Sequence, residues 1–122
     1  KPLTMATVTK PLSEIQLQSR CYQAFWNKYP EYRRCLFAVP NGGTRNAAEA
    51  MSLKASGLVP GIPDMIFLCK GRAYGLEFKT ETGRVSDEQA KCHEAFSRQG
   101  VSVVVVRSEA QFWATMESII KL

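Results

Sequence analysis

Gly61-Ile62-Pro63-Asp64-Met65-Ile66-Phe67-Leu68-Cys69-Lys70-Gly71-Arg72-Ala73-Tyr74-Gly75-Leu76-Glu77-Phe78-Lys79-Thr80 reads as a rigid loop followed by a β-hairpin. Met65 to Cys69 is apolar enough for a strand, Lys70-Gly71-Arg72 turns the chain, and Ala73 to Thr80 returns as the second strand. Side chains alternate along a strand, so Glu77 and Lys79 share one face while Leu76 and Phe78 take the other. A tight turn brings Asp64, at the start of the first strand, back beside Glu77. Two carboxylates and a lysine are thereby expected at one place on a sheet.

Upstream, Ser13-Glu14-Ile15-Gln16 has the form of a capping box, with Leu12 and Leu17 placed as a hydrophobic staple. The helix it opens should reach about Lys28, where Pro30 stops it. Ile15, Tyr22 and Trp26 fall on one face, with Cys21 and Phe25 beside them. Cys35 to Val39 is a short β-like run ended by Pro40-Asn41-Gly42-Gly43. Asn46 to Ser56 is an alanine-rich helical stretch with Gly57 placed as its C′ residue. Downstream, Ser86-Asp87-Glu88-Gln89 is a second capping box, opening a helix to about Gln99 with Gly100 as its stop. Val101 to Val106 is β-branched with little alternation, the pattern of a buried central strand. Ser108-Glu109-Ala110-Gln111 is a third capping box, opening the last helix, on which Phe112 and Trp113 read as core. The order α-β-α-β-β-α-β-α implies an α/β domain with a mixed central sheet flanked by helices. Residues 1–122 read as one domain, with residues 1–12 as an N-terminal arm.

Composition narrows the chemistry. The formal net charge is +5, which favours a polyanionic partner. No apolar run is long enough for a membrane span, and residues 1–12 lack the apolar core of a signal peptide. Cys21, Cys35, Cys69 and Cys92 are scattered through apolar segments with no C-x-x-C pair, as expected of free thiols in a reducing intracellular compartment. His93 is the only histidine, so zinc sites built from two or three histidines are excluded. It reads as structural or exposed. Acid–base or metal chemistry must rest on carboxylates and lysines.

Converging like charges are costly unless a cation neutralises them. Mg²⁺ is hard, prefers oxygen and usually takes one or two carboxylates while keeping several waters. Asp64 and Glu77 suit it, and the backbone carbonyl of Phe78 could add a third oxygen. Lys79 is then free to orient or deprotonate an attacking water, or to hold a phosphate. These are the parts needed to hydrolyse a phosphodiester. Around them, Asn41-Gly42-Gly43 would let a backbone approach a phosphate, with Arg45 adjacent, and Arg84 and Lys91 are further candidates for phosphate contact. Each also has a plainer reading, as a turn or as a solvated charge.

The P-D…E-x-K pattern resembles the PD-(D/E)xK nuclease superfamily, whose restriction-endonuclease-like core matches the element order. Ser13-Glu14, Asn41-Gly42-Gly43-x-Arg45, Gly61-Ile62-Pro63-Asp64, Glu77-Phe78-Lys79, Gly83-Arg84, Ser86 and Gln89 together look like a VRR-NUC domain, the virus-type replication and repair nuclease module found alone in phages. The resemblance spans about Ser13 to Val106, with no departure at the catalytic positions. It implies that Asp64 and Glu77 bind Mg²⁺ (or Mn²⁺), that Lys79 is the catalytic lysine, that Glu14 reaches the metal directly or through water, and that Gln89 lines the site. It further implies a homodimer acting on branched DNA such as four-way junctions, in the cytoplasm of a bacterial or phage-infected host, or in a nucleus only if the chain is part of a eukaryotic protein. Glu14 and Gln89 also have structural explanations, as a first-turn acid and a capping-box glutamine. A non-catalytic nucleic-acid-binding module and a sequence-specific restriction-type enzyme are the alternatives.

Overall fold

A computed structural model describes residues 10–40 and 46–122. Asn41, Gly42, Gly43 and Arg45, and most of the N-terminal arm, lie outside the described residues. The elements are α1 (Glu14–Lys28), a 3₁₀ turn (Pro30–Tyr32), β1 (Leu36–Ala38), α2 (Ala47–Ala55), β2 (Met65–Cys69), β3 (Arg72–Phe78), α3 (Asp87–Arg98), β4 (Ser102–Val106) and α4 (Glu109–Ile120). The strands form one mixed sheet in the order β1-β2-β3-β4. β1–β2 and β2–β3 are antiparallel, and β3–β4 is parallel.

Register separates the two faces of the sheet. Met65 pairs with Leu76 and Phe67 with Tyr74, while Leu76 pairs with Val104 and Phe78 with Val106. These residues share a face, and they pack in one core with Leu17, Cys21 and Phe25 of α1 and Phe112, Met116 and Ile119 of α4. Phe25 is the hub, with its ring centroid 5.5 Å from that of Phe67 and 6.1 Å from that of Phe112, both edge-on. The other face carries Gly75, Glu77, Val103 and Val105, and α3 lies over it.

Three expectations change. The buried stripe of α1 is Leu17–Cys21–Phe25, while Ile15 and Trp26 are exposed at 65% and 37%. The four-residue spacing of the true stripe is masked by Tyr22 and Trp26, each one position after it, and by Ile15, two positions before it. Among the described residues β4 is an edge strand, not a central one. Its valine run reflects helices on both faces, which leave Val103 to Val105 half-buried. The capping box at Ser108 is incomplete: Ser108 Oγ accepts from the Gln111 amide, but Gln111 Oε1 accepts from the amide of Arg107, one residue before the cap. The boxes at Ser13 and Ser86 are complete. The four cysteines are free, three of them buried, and burial pushes the Cys21 thiol up to about 12. Among the described residues, no helix is long and apolar enough to cross a membrane.

Phe25→Ala is expected to destabilise the protein by about 3–5 kcal/mol, and Trp26→Ala, one residue away, by about 1 kcal/mol or less. Urea denaturation of both variants checks this; equal losses would put the buried stripe of α1 elsewhere.

Candidate active site

The approach to the site is set by small residues. Gly61 has φ +84, a left-handed conformation that suits glycine, and a Cβ there would fall 2.4 Å from the Glu88 carbonyl oxygen. The loop therefore rests directly on the first turn of α3. Pro63 is buried against Gly75, where an added Cβ would meet Pro63 Cγ at 2.9 Å. The loop is thus wedged between α3 and the sheet, and the chain leaves it at Asp64 with one direction to take.

Asp64 directly precedes β2, and its register places it opposite Glu77. Asp64 Oδ2 accepts a hydrogen bond from the Phe78 amide at 2.7 Å, which fixes one oxygen on the backbone of β3. The Phe78 carbonyl, the suggested third oxygen, belongs to this same residue. Glu77 is 1% exposed, unusual for a carboxylate. α3 reaches both its oxygens: Gln89 Nε2 donates to Oε2 at 2.7 Å, and His93 Nε2 lies 3.3 Å from Oε1. Lys79 is 7% exposed and lies one residue beyond the end of β3, its amide continuing the ladder to the Val106 carbonyl at 3.0 Å. The strand is therefore shorter than the expected Ala73–Thr80, but the shared face of Glu77 and Lys79 is kept.

The electrostatics follow from crowding. Burial pushes the Glu77 carboxyl up to about 8, and the Asp64 charge, a hydrogen bond with Asp64 and the Glu14 charge push the same way. Only Lys79 pulls it down. His93 is held below its usual value by burial and by the Lys79 charge. With imidazole neutral and Glu77 protonated, their contact near neutral pH is a hydrogen bond rather than an ion pair.

The expected residues are gathered to different degrees. Asp64, Glu77, Lys79 and Gln89 converge. Glu14 is exposed at the start of α1, close enough to act on Glu77 through its charge, and its Oε2 lies against the Gly83 turn. Among the described residues, no three His, Cys, Asp or Glu side chains assemble into a ready metal cage. The hard-oxygen donors at hand are the Asp64–Glu77 pair, a set that suits a cation retaining much of its water. Arg84 is exposed on the loop after Lys79, and Lys91 is exposed and paired with Glu88 at 3.4 Å. His93, expected to be structural or exposed, instead joins the site at Glu77. The signal was its spacing, since it lies one helical turn after Gln89 on the same face of α3.

The VRR-NUC domain family matches residues 10–110. The chain belongs to this family. A solved structure described as a "VRR_NUC domain protein" superimposes with a TM-score of 0.78 over 93% of each chain at 20% identity, a likeness of fold. No curated protein matches the chain. VRR-NUC is a nuclease-type domain, and the match runs across every element that brings Asp64, Glu77, Lys79 and Gln89 together.

Because the folded-state pKa of Glu77 is raised, it favours the folded state at low pH, and that contribution is lost as pH rises from about 4.5 to about 8. In EDTA, Glu77→Gln should therefore gain on wild type across this window, by about 1 kcal/mol or more at pH 9. Urea midpoints at pH 5, 7 and 9 check this; parallel pH profiles for the two proteins would refute the buried, protonated carboxyl.

Proposed function

We propose that this VRR-NUC protein is a divalent-cation-dependent, structure-selective DNA endonuclease, acting as a homodimer on branched DNA such as four-way junctions. The observation that carries the reading is the buried Glu77 carboxylate facing Asp64, with Lys79 on the same face, in a chain of a nuclease family. A fold-stabilising role would not favour this arrangement, since a buried carboxyl beside the half-buried Asp64 charge costs free energy that an apolar side chain would not. Binding of a cation and a phosphate would recover it.

Asp64 and Glu77 would hold Mg²⁺ or Mn²⁺ through their carboxylates, with the Phe78 carbonyl as a further oxygen and Glu14 acting directly or through water. When bound, the cation supplies charge neutralisation, polarises the scissile phosphate and acidifies a coordinated water. The chain's own residues do the rest. Asp64 keeps one oxygen on the Phe78 amide, so its other oxygen has a defined direction. Gln89 and His93 fix the rotamer of Glu77, so no reorganisation is needed when substrate arrives. Lys79, held in a buried position, orients the attacking water or accepts the phosphate's developing charge. The net charge of +5 draws a polyanion towards an otherwise acidic centre, with Arg84, Lys91 and the Asn41-Gly42-Gly43-x-Arg45 segment as candidate contacts. No segment of this sequence resembles a base-reading helix or zinc finger, which favours selection by DNA shape over sequence readout. A two-fold dimer would offer two centres to a symmetric junction.

The test is cleavage of a labelled four-way junction and a matched linear duplex by purified protein in Mg²⁺, Mn²⁺ or EDTA. Wild type is expected to make paired incisions in the junction, lost in EDTA. Lys79→Ala should lower kcat at least about 100-fold while remaining folded and DNA-bound, and Asp64→Asn should lose the metal-dependent activity. Full activity of Asp64→Asn in Mg²⁺ would overturn the metal assignment, and a folded wild type that binds but never cuts DNA would favour a non-catalytic binding module. Site-specific cutting of the linear duplex would favour a restriction-type enzyme.

A further inference from the structure

Arg107 follows the last residue of β4, and the parallel register that pairs Phe78 with Val106 sets it alongside Lys79. Its side chain is half-buried and makes no ion pair among the described residues. Instead its Nη1 donates to three backbone carbonyls of the segment after Lys79: Thr80 at 2.8 Å, Glu81 at 3.3 Å and Gly83 at 2.7 Å. Nη1 carries two hydrogens, so Thr80 and Gly83 take the short bonds and Glu81 the long arm of a shared one, and the permanent, weakly hydrated charge holds all three carbonyls to it. Its own backbone is tied down as well, since the Arg107 amide donates to Gln111 Oε1 at 2.6 Å.

The turn it grips touches the candidate site on two sides. At its start is Lys79, whose amide bonds to Val106, the residue before Arg107. At its end is Gly83, where an added Cβ would lie 2.9 Å from Thr80 Oγ1 and 3.4 Å from Glu14 Oε2. The turn is closed by the Gly83 amide donating to the Thr80 carbonyl at 3.2 Å, a long bond. Three carbonyls converging on one point repel one another, so the turn holds this shape while a cation sits at their focus.

We infer that Arg107 is a positioning residue of the nuclease centre: by gathering the Thr80, Glu81 and Gly83 carbonyls it fixes the turn that sets Lys79 against Glu77 and backs the Glu14 carboxylate. Arg107 acts through these residues and touches neither phosphate nor cation. The inference rests on the nuclease reading proposed above.

The test compares wild type, Arg107→Ala and Arg107→Lys in single-turnover cleavage of the junction with Mg²⁺, each confirmed folded by circular dichroism at the assay temperature. Amide hydrogen exchange is followed in the same proteins. Arg107→Ala is expected to lose tenfold or more in kcat with KM for DNA within about twofold of wild type. Exchange should quicken at residues 80–84 while that of β2 and β3 is unchanged. Arg107→Lys, with its charge but without the rigid fork, should recover part of the rate; it also carries the test if the alanine variant does not fold. A folded Arg107→Ala with kcat within twofold of wild type would overturn the inference and leave the nuclease reading standing. If wild type itself cuts no DNA, the nuclease reading fails and the catalytic part of this inference with it. Exchange at residues 80–84 then decides whether Arg107 holds the turn.

Discussion

Everything near the site depends on one carboxylate being buried on the face of a sheet. Glu77 is almost fully enclosed, faces a second carboxylate, and has both oxygens occupied by side chains of α3. A buried acid is tolerated when its hydrogen-bonding capacity is met and its charge is removed or compensated. Here Gln89 and His93 meet the first condition, and in the absence of a cation a proton meets the second. Under the proposed function a cation would take over once the proton leaves, because Lys79 alone does not balance the Asp64 and Glu77 charges.

The architecture can be traced outward from that constraint. The core face of β3 is anchored by Leu76 and Phe78 among the aromatic residues of α1, β2 and α4, which holds the strand rigid. The alternate residues are thereby turned towards α3, whose first turn is pinned against Gly61 and whose Gln89 and His93 then have Glu77 within reach. Beyond the end of β3 the chain would be free to wander, and there the Arg107 side chain collects three carbonyls. Rigid packing on one face and fixed polar contacts on the other make a preorganised centre from a single hairpin.

Local signals in the sequence carried the hairpin, the helix caps at Ser13 and Ser86 and the glycine stops at Gly57 and Gly100, because each is decided within a few residues by turn chemistry and hydrogen bonding. The convergence of Asp64, Glu77 and Lys79 was legible for the same reason, since period-two alternation and a tight turn are sufficient to predict it. What escaped depends on distant pairing. Val101 to Val106 looked central because a strand covered on both faces has the same composition whether or not it has a second neighbour. The buried stripe of α1 was blurred by Ile15 and Trp26, apolar residues that the fold leaves outside. His93 could have been found from its spacing to Gln89. The place of Arg107 beside Lys79 could not, because a parallel register is set by tertiary packing rather than by any turn.

The central claim is that Asp64 and Glu77 together form a site for a divalent cation. Calorimetric titration of Mn²⁺ into the purified protein, without DNA, beside Asp64→Asn and Glu77→Gln tests it most directly. The account predicts saturable binding by the wild type and at least a tenfold loss of affinity in each variant, with all three proteins equally folded. Binding by both variants with wild-type affinity would place the cation elsewhere and contradict the account.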